Sequence, residues 1–228
     1  MARFSKAWPG AAVAIVAALS LLAGCGIKLP GAGQPSQLYV LTPKSTFPDD
    51  LKRADWQLLV EQTASPAGLD TPRIAVAYSP IELDYFARSN WTDLAPQMVQ
   101  RLIIESFENS NRIIGVGRDS IGLRSNFLLK TELREFQAEY KKKQIEGRNG
   151  EKATLATGDP PRIRVRINAK LVMMPERIIV ASKTFETTVM AKRNKMPAIV
   201  RGFDDALGRT IKQLVIWTLR QGNTLMKK

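Results

Sequence analysis

Residues 162–171 read Arg-Ile-Arg-Val-Arg-Ile-Asn-Ala-Lys-Leu, an unbroken two-residue alternation. Successive side chains of an extended chain point to opposite faces, so Ile163, Val165, Ile167, Ala169 and Leu171 share one side. Arg162, Arg164, Arg166, Asn168 and Lys170 share the other. Pro175-Glu176 then makes a turn, and Ile178 to Met190 returns as the partner strand of a hairpin. A strand with one apolar and one charged face belongs to a sheet covered on a single side. The fold therefore needs elements that cover it.

Working outward from the hairpin, Phe127 to Phe136 is a longer strand whose inward phase switches between Leu133 and Phe136, as a bulge would make it do. The polar stretch Lys141 to Pro161 carries Gly147, Gly150, Gly158, Pro160 and Pro161 and reads as a long excursion between strands. Short strands are expected at Leu38–Leu41, Trp56–Gln62, Arg73–Tyr78 and Ile113–Val116. Two segments have the helical period instead. Leu94/Ala95, Met98/Val99, Leu102/Ile103 and Ser106/Phe107 recur every four residues, with Thr92 or Asp93 as the cap and Pro96 in the first turn. Pro197 to Arg220 carries Ile199, Phe203, Leu207, Ile211, Leu214 and Trp217 or Thr218 on one face, with Gly222 past its end. The pattern predicts one α+β or α/β domain, a mixed sheet covered by two main helices.

The first residues read as an address. Arg3 and Lys6 precede a run from Ala11 to Ala23 that is apolar except for Ser20. As a helix, that run of 13 residues is about 20 Å long, shorter than the roughly 30 Å hydrocarbon core, so it suits the h-region of a signal peptide. Leu22-Ala23-Gly24-Cys25 follows at once and matches the bacterial lipobox. There the small residues admit the signal peptidase and the cysteine becomes the lipidated first residue. Removing 24 residues from 228 leaves a mature chain of 204. Gly26 is not the aspartate that retains enteric lipoproteins in the inner membrane, which favours the outer membrane, facing the periplasm. Gly26 to Gln37, with Pro30, Gly31, Gly33 and Pro35, reads as a flexible tether with an average reach of roughly 20 Å. The expected organisation is a signal peptide over 1–24, a lipidated cysteine and tether over 25–37, a folded domain over 38–222 and a basic tail over 223–228.

Composition removes whole classes of chemistry. The chain has 34 Lys+Arg against 21 Asp+Glu, one cysteine and no histidine. A Ser-His-Asp or Cys-His nucleophile lacks its base, and neither a multi-Cys/His zinc site nor an internal disulfide can be built. Asp49-Asp50 and Asp204-Asp205 are adjacent in sequence and diverge in space, which does not suit a two-carboxylate mechanism. Gly115-Val116-Gly117 with Gly122 only echoes a dinucleotide turn, since Ser120 stands where the third glycine belongs. The sequence thus calls for no enzyme, no cofactor and no metal. A net charge of +13 often signifies nucleic acid, but an exported chain meets none routinely.

The basic face of Arg162, Arg164, Arg166 and Lys170 has two readings. It contacts anionic lipid or an acidic partner, or it is a solvent face balanced by Glu132, Glu135 or Glu186 across the sheet. Lys141-Lys142-Lys143 with Arg148 and Lys152 is a solvated loop or a contact of the same kind. Trp91, with Tyr85-Phe86 upstream, lines a groove or anchors the start of the first helix onto the sheet.

A lipobox, a short Tyr39-Val40-Leu41 strand, and a segment from Tyr85 through Trp91 to Phe107 together resemble the ABC-type transport auxiliary lipoproteins, which include the paraquat-inducible lipoprotein. Asn90-Trp91-Thr92-Asp93 departs from the Arg-Trp-Ala-Glu common in that family. The resemblance implies a fold similar to the N-terminal domain of the Tol-system propeller protein. It also implies a non-enzymatic role beside an ABC permease and ATPase and a mammalian-cell-entry-type periplasmic protein, in lipid transport between membranes. The alternative is an envelope lipoprotein that binds peptidoglycan or lipopolysaccharide through the basic strand face. Self-association is left open.

Overall fold

The computed structural model describes residues 35–122, 124–146, 152–156 and 158–227. Residues 36–228 form one compact unit. Its elements are β1 (Gln37–Tyr39), β2 (Ala54–Val60), β3 (Arg73–Ser79), β4 (Glu82–Trp91), α1 (Ala95–Ser110), β5 (Ile113–Arg118), β6 (Phe127–Glu139), β7 (Lys142–Glu146), β8 (Lys152–Ala156), β9 (Arg162–Met173), β10 (Ile178–Met190) and α2 (Met196–Leu225).

The organising strand is β6. One of its edges pairs antiparallel with β9 from Phe127↔Met173 to Glu139↔Arg162, and β9 pairs antiparallel with β10. The opposite edge is shared. Phe127–Leu129 pairs parallel with Leu58–Val60 of β2, and Gln137–Glu139 pairs parallel with Ala75–Ala77 of β3. From there the sheet forks, to β5 through β2 and to β4 and β1 through β3. Two strands fit on one edge because β6 is 13 residues long and bulges between Leu133 and Glu135. The bulge expected between Leu133 and Phe136 is there, and it resets which residues face inward.

Both helices lie on one face of this mixed sheet, α2 against β9, β10 and β2, and α1 against β5 and α2. The alternation of β9 does what it predicts: Ile163, Val165, Ile167, Ala169 and Leu171 are all fully buried in the main core. So are Ile199, Phe203, Leu207, Ile211 and Leu214 of α2. At about 1.5–3 kcal/mol for each large side chain, this layer dominates stability. Trp91 ends β4 rather than heading a helix, and its ring lies 5.5 Å from Phe136 and 5.2 Å from Phe203. The residue thus ties strand, sheet and second helix together. On the other face, Leu59, Leu128 and Val172 make a small separate apolar cluster.

Several expectations need correction. Residues 82–91 form a ten-residue strand, β4, that the sequence did not announce. The Lys141–Pro161 excursion contains a two-stranded ladder of its own, β7 against β8. The cap of α1 is Leu94, without a side-chain bond; the Asp93 carboxylate accepts a hydrogen bond from the Leu94 amide at 2.8 Å instead. Finally, α2 does not stop at Arg220 but runs to Leu225, so Asn223, Thr224 and Leu225 belong to the helix and not to a tail. The segment after β1 is strapped over the helices. The Thr42 amide donates to Asp204 Oδ1 at 2.7 Å and the Lys44 amide to Ser106 Oγ at 2.9 Å.

Candidate functional site

Of the residues singled out in the sequence, Leu22, Ala23, Gly24 and Cys25 lie outside the described residues, as does Arg148. The rest place the interest on the sheet face that no helix covers. There the outward side chains of β9 meet those of β6 and β10. Arg162 donates to Glu139 Oε2 from Nη2 at 2.6 Å and from Nε at 2.9 Å. Arg164 sits among three carboxylates, Glu139 at 3.0 Å, Glu135 at 3.3 Å and Glu186 at 3.5 Å. Arg166 reaches Glu135 Oε1 at 3.0 Å. Glu135 and Glu139 each bridge two guanidinium groups, so the ladder is a continuous lattice of alternating charge.

Two of the three balancing carboxylates were legible, Glu135 and Glu186. Glu132 instead holds Arg134, at 2.8 Å. The missing partner is Glu139, which continued period-2 counting beyond Phe136 would have placed outward. Lys170 is exposed and has no ion pair among the described residues. Partial burial lowers the Arg164 pKa, but Glu139, Glu135 and Glu186 together outweigh it and raise the value above that of a free arginine. Removing the hub leaves three carboxylates facing one another. Arg164→Leu should therefore destabilise the chain by about 1–2 kcal/mol in low salt, allowing for its partial exposure. Denaturant titrations should show much of that deficit recovered at high salt, where the remaining repulsion is screened.

Beside the lattice, at the open end of the sheet, lies a cavity of about 780 Å³. The end of β3 and its turn give Ala77, Tyr78, Ser79 and Pro80; β6 gives Glu135, Gln137 and Glu139, with Tyr140 just past its end; β9 gives Arg162 and Arg164; β10 gives Met190. Tyr78 and Tyr140 stack at 5.7 Å, and Phe86 meets Tyr140 edge-on at 6.4 Å. The Tyr140 hydroxyl donates to Asn194 Oδ1 at 2.6 Å, and Asn194 donates in turn to the Gly158 carbonyl at 3.2 Å. Burial, with Tyr78 beside it, pushes the Tyr140 pKa from 10.0 up to about 12. A raised tyrosine pKa means that the folded state prefers the neutral phenol. This contribution is complete below the unfolded value and fades as pH rises through about 10 to 12. Tyrosinate absorbance should show a late-titrating phenol that is lost in Tyr140→Phe.

The remaining candidates are structural. Asp204 binds Thr42, and Asp205 pairs with Arg209 at 2.7 Å, so the two neighbours are engaged in different directions. Gly115 and Gly117 lie within β5, and Gly122 caps a short 3₁₀ turn with φ +65°. Among the described residues no group of His, Cys, Asp and Glu is placed to hold a metal, and no helix is long and apolar enough to cross a membrane.

Compared with known proteins, residues 39–215 match the model of the ABC-type transport auxiliary lipoprotein component. The chain belongs to that family. The match runs from the end of β1 through β10 and takes in the first two thirds of α2. Protein XCC0632 from Xanthomonas campestris has a similar crystal structure, with a TM-score of 0.74 and 27% identity over 85% of this chain and 100% of that one. A second crystal structure, of an uncharacterized protein, shares the fold with a TM-score of 0.58 at 12% identity, covering 80% of this chain and 97% of that one. Uncharacterized protein bll6063 of Bradyrhizobium diazoefficiens is 27% identical over 195 residues, 84% of this chain and 48% of that protein. The chain thus spans about half the length of that curated relative. The family is described as the auxiliary lipoprotein component of ABC-type transport.

Proposed function

We propose that this auxiliary lipoprotein is a non-enzymatic subunit of a mammalian-cell-entry-type ABC system that moves lipid between membranes. In this reading Cys25 carries the lipid after residues 1–24 are removed, residues 25–37 form the tether, and the domain beginning at residue 38 faces the periplasm from the outer membrane. Its partners are the permease and ATPase of the system and the mammalian-cell-entry-type periplasmic protein. The family match over 39–215 carries the proposal. The lipobox supports it, since two or three acyl chains at about 0.8 kcal/mol per buried methylene anchor a protein stably where one does not.

The alternative, glycan or lipopolysaccharide capture by the basic strand face, has less to draw on, because Arg162, Arg164 and Arg166 already hold carboxylates. Charge reversal at Arg164 and Arg166 discriminates: unchanged pulldown of lipopolysaccharide or peptidoglycan ends that alternative.

The transport reading is tested by cross-linking in intact cells, followed by purification of the full tagged chain in detergent. Mass spectrometry should identify the permease, the ATPase or the mammalian-cell-entry-type protein. Recovery of none of the three overturns the reading.

A further inference from the structure

We propose that the cavity at the open end of the sheet binds a neutral glycan. The inference stands apart from the transport reading and rests on the lining alone. At about 780 Å³ the cavity falls in the range of small-ligand sites. Its charged groups balance: Glu135, Glu139 and Asp159 stand against Arg162, Arg164 and Lys141. Glu135 and Glu139 are moreover locked onto the guanidinium groups at 2.6–3.3 Å. An incoming phosphate or carboxylate would have to displace those carboxylates or lie against them. A strongly ionic ligand is therefore selected against.

A saccharide has what the lining asks for. Each hydroxyl both donates and accepts, so it can bond to a carboxylate and a guanidinium whose positions are already fixed by their mutual pairing. That pre-ordering lowers the entropy lost on binding. Two uncharged polar side chains on the wall have capacity to spare: the Gln137 amide and the Tyr78 hydroxyl make no hydrogen bond among the described residues. The opposite requirement, an apolar surface for the C–H face of a pyranose ring, is met by the Tyr78/Tyr140 pair with Pro80 and Met190. The hydrogen bond from Tyr140 to Asn194 holds that pair in place. The smaller cleft at Glu61, Asp93 and Asp119 has no aromatic wall.

The test is saturation-transfer difference NMR on the full chain in detergent micelles, with chitotriose and maltotriose as neutral probes and phosphocholine and inorganic phosphate as charged ones. At least one trisaccharide should receive saturation, strongest on the ring C–H protons of one face, with an affinity near 1 mM. Gln137→Leu and Tyr78→Leu should each weaken that affinity by about tenfold, whereas Lys170→Ala, away from the cavity, should leave it unchanged. Far-UV circular dichroism and the melting temperature identify a variant that has lost its fold, and Gln137→Leu, at a half-exposed position, carries the test if Tyr78→Leu does. Transfer to neither trisaccharide overturns the proposal. So does transfer unaffected by a folded cavity variant, or binding of phosphate or phosphocholine in place of sugar. None of these outcomes alters recovery of the transport partners, so the two readings fail separately.

Discussion

Replacing Cys25 by serine should move the protein from the membrane fraction to the soluble fraction or leave it as an unprocessed precursor. The physical basis is the number of chains. A serine hydroxyl cannot form the thioether, so neither diacylglycerol nor cleavage at the lipobox follows. One acyl chain of about 0.8 kcal/mol per methylene gives only marginal binding, and none gives nothing beyond surface charge. Without residues 1–24 the chain would keep a net +11, since loss of Arg3 and Lys6 takes two of 34 basic residues and leaves 21 acidic ones. That charge is worth on the order of 1 kcal/mol per basic residue close to an anionic surface and is screened by salt. Fractionation of the variant at low and high salt separates the two contributions. A serine variant that has lost residues 1–24 and still sediments with membranes in high salt would refute anchoring through this residue. Intact-mass measurement of the native protein gives a second readout, expected to show a chain starting at residue 25 with added acyl mass.

How far the chain could be read in advance depended on where burial imposes a period. The β9–β10 hairpin was legible because β9 buries every second residue to the last atom, and both helices were legible because the core takes one stripe from each. β4 was not, because only Ser89 and Trp91, at its very end, are buried. Glu82, Leu83 and Asp84 are exposed, Tyr85 and Phe86 half-buried, and Arg88 adopts φ 53°. It is a strand by virtue of pairing to β3 on one side and β1 on the other, a long-range fact with no local signature. Lys142–Glu146 and Lys152–Ala156 failed for the same reason: a polar, lysine-bearing stretch reads as loop, and only the β7–β8 pairing makes these segments strands. The charged lattice was half visible. Alternation showed that the arginines of β9 face out, but which carboxylate meets which depends on the register with β6, and the bulge near Leu133 moves that register by one. The cavity was invisible, since its wall is assembled from four strands far apart in sequence.

The largest stability effect expected from one small change is at Gly222, which sequence reasoning took for a helix stop. A glycine near the end of a periodic stripe has two explanations, a left-handed cap or a close approach of something to the backbone. Here it is the second. Gly222 lies three residues inside the end of α2, and a Cβ placed on it would stand 2.3 Å from Trp56 Cζ2 and 2.7 Å from Cε2. Trp56 cannot withdraw. It is 2% exposed, its ring meets Phe127 edge-on at 5.0 Å, and its Nε1 donates to Asn223 Oδ1 at 2.8 Å, one residue along the same helix. Asn223 in turn donates to the Arg53 carbonyl at 3.2 Å, fixing the end of α2 to the start of β2. Gly222→Ala would gain about 1 kcal/mol of helix propensity in isolation. Overpacking against a pinned indole costs about 3 kcal/mol and lifts the last turn off the sheet, so the net loss should be about 2 kcal/mol. Gly222→Val should cost more. Combining Gly222→Ala with Trp56→Leu provides the decisive comparison. Removing the indole opens the space that the new methyl needs, so the double variant should be more stable than the sum of the single losses predicts, by about 1 kcal/mol or more. Strict additivity in denaturant unfolding would show that the glycine is there for some other reason than the tryptophan above it.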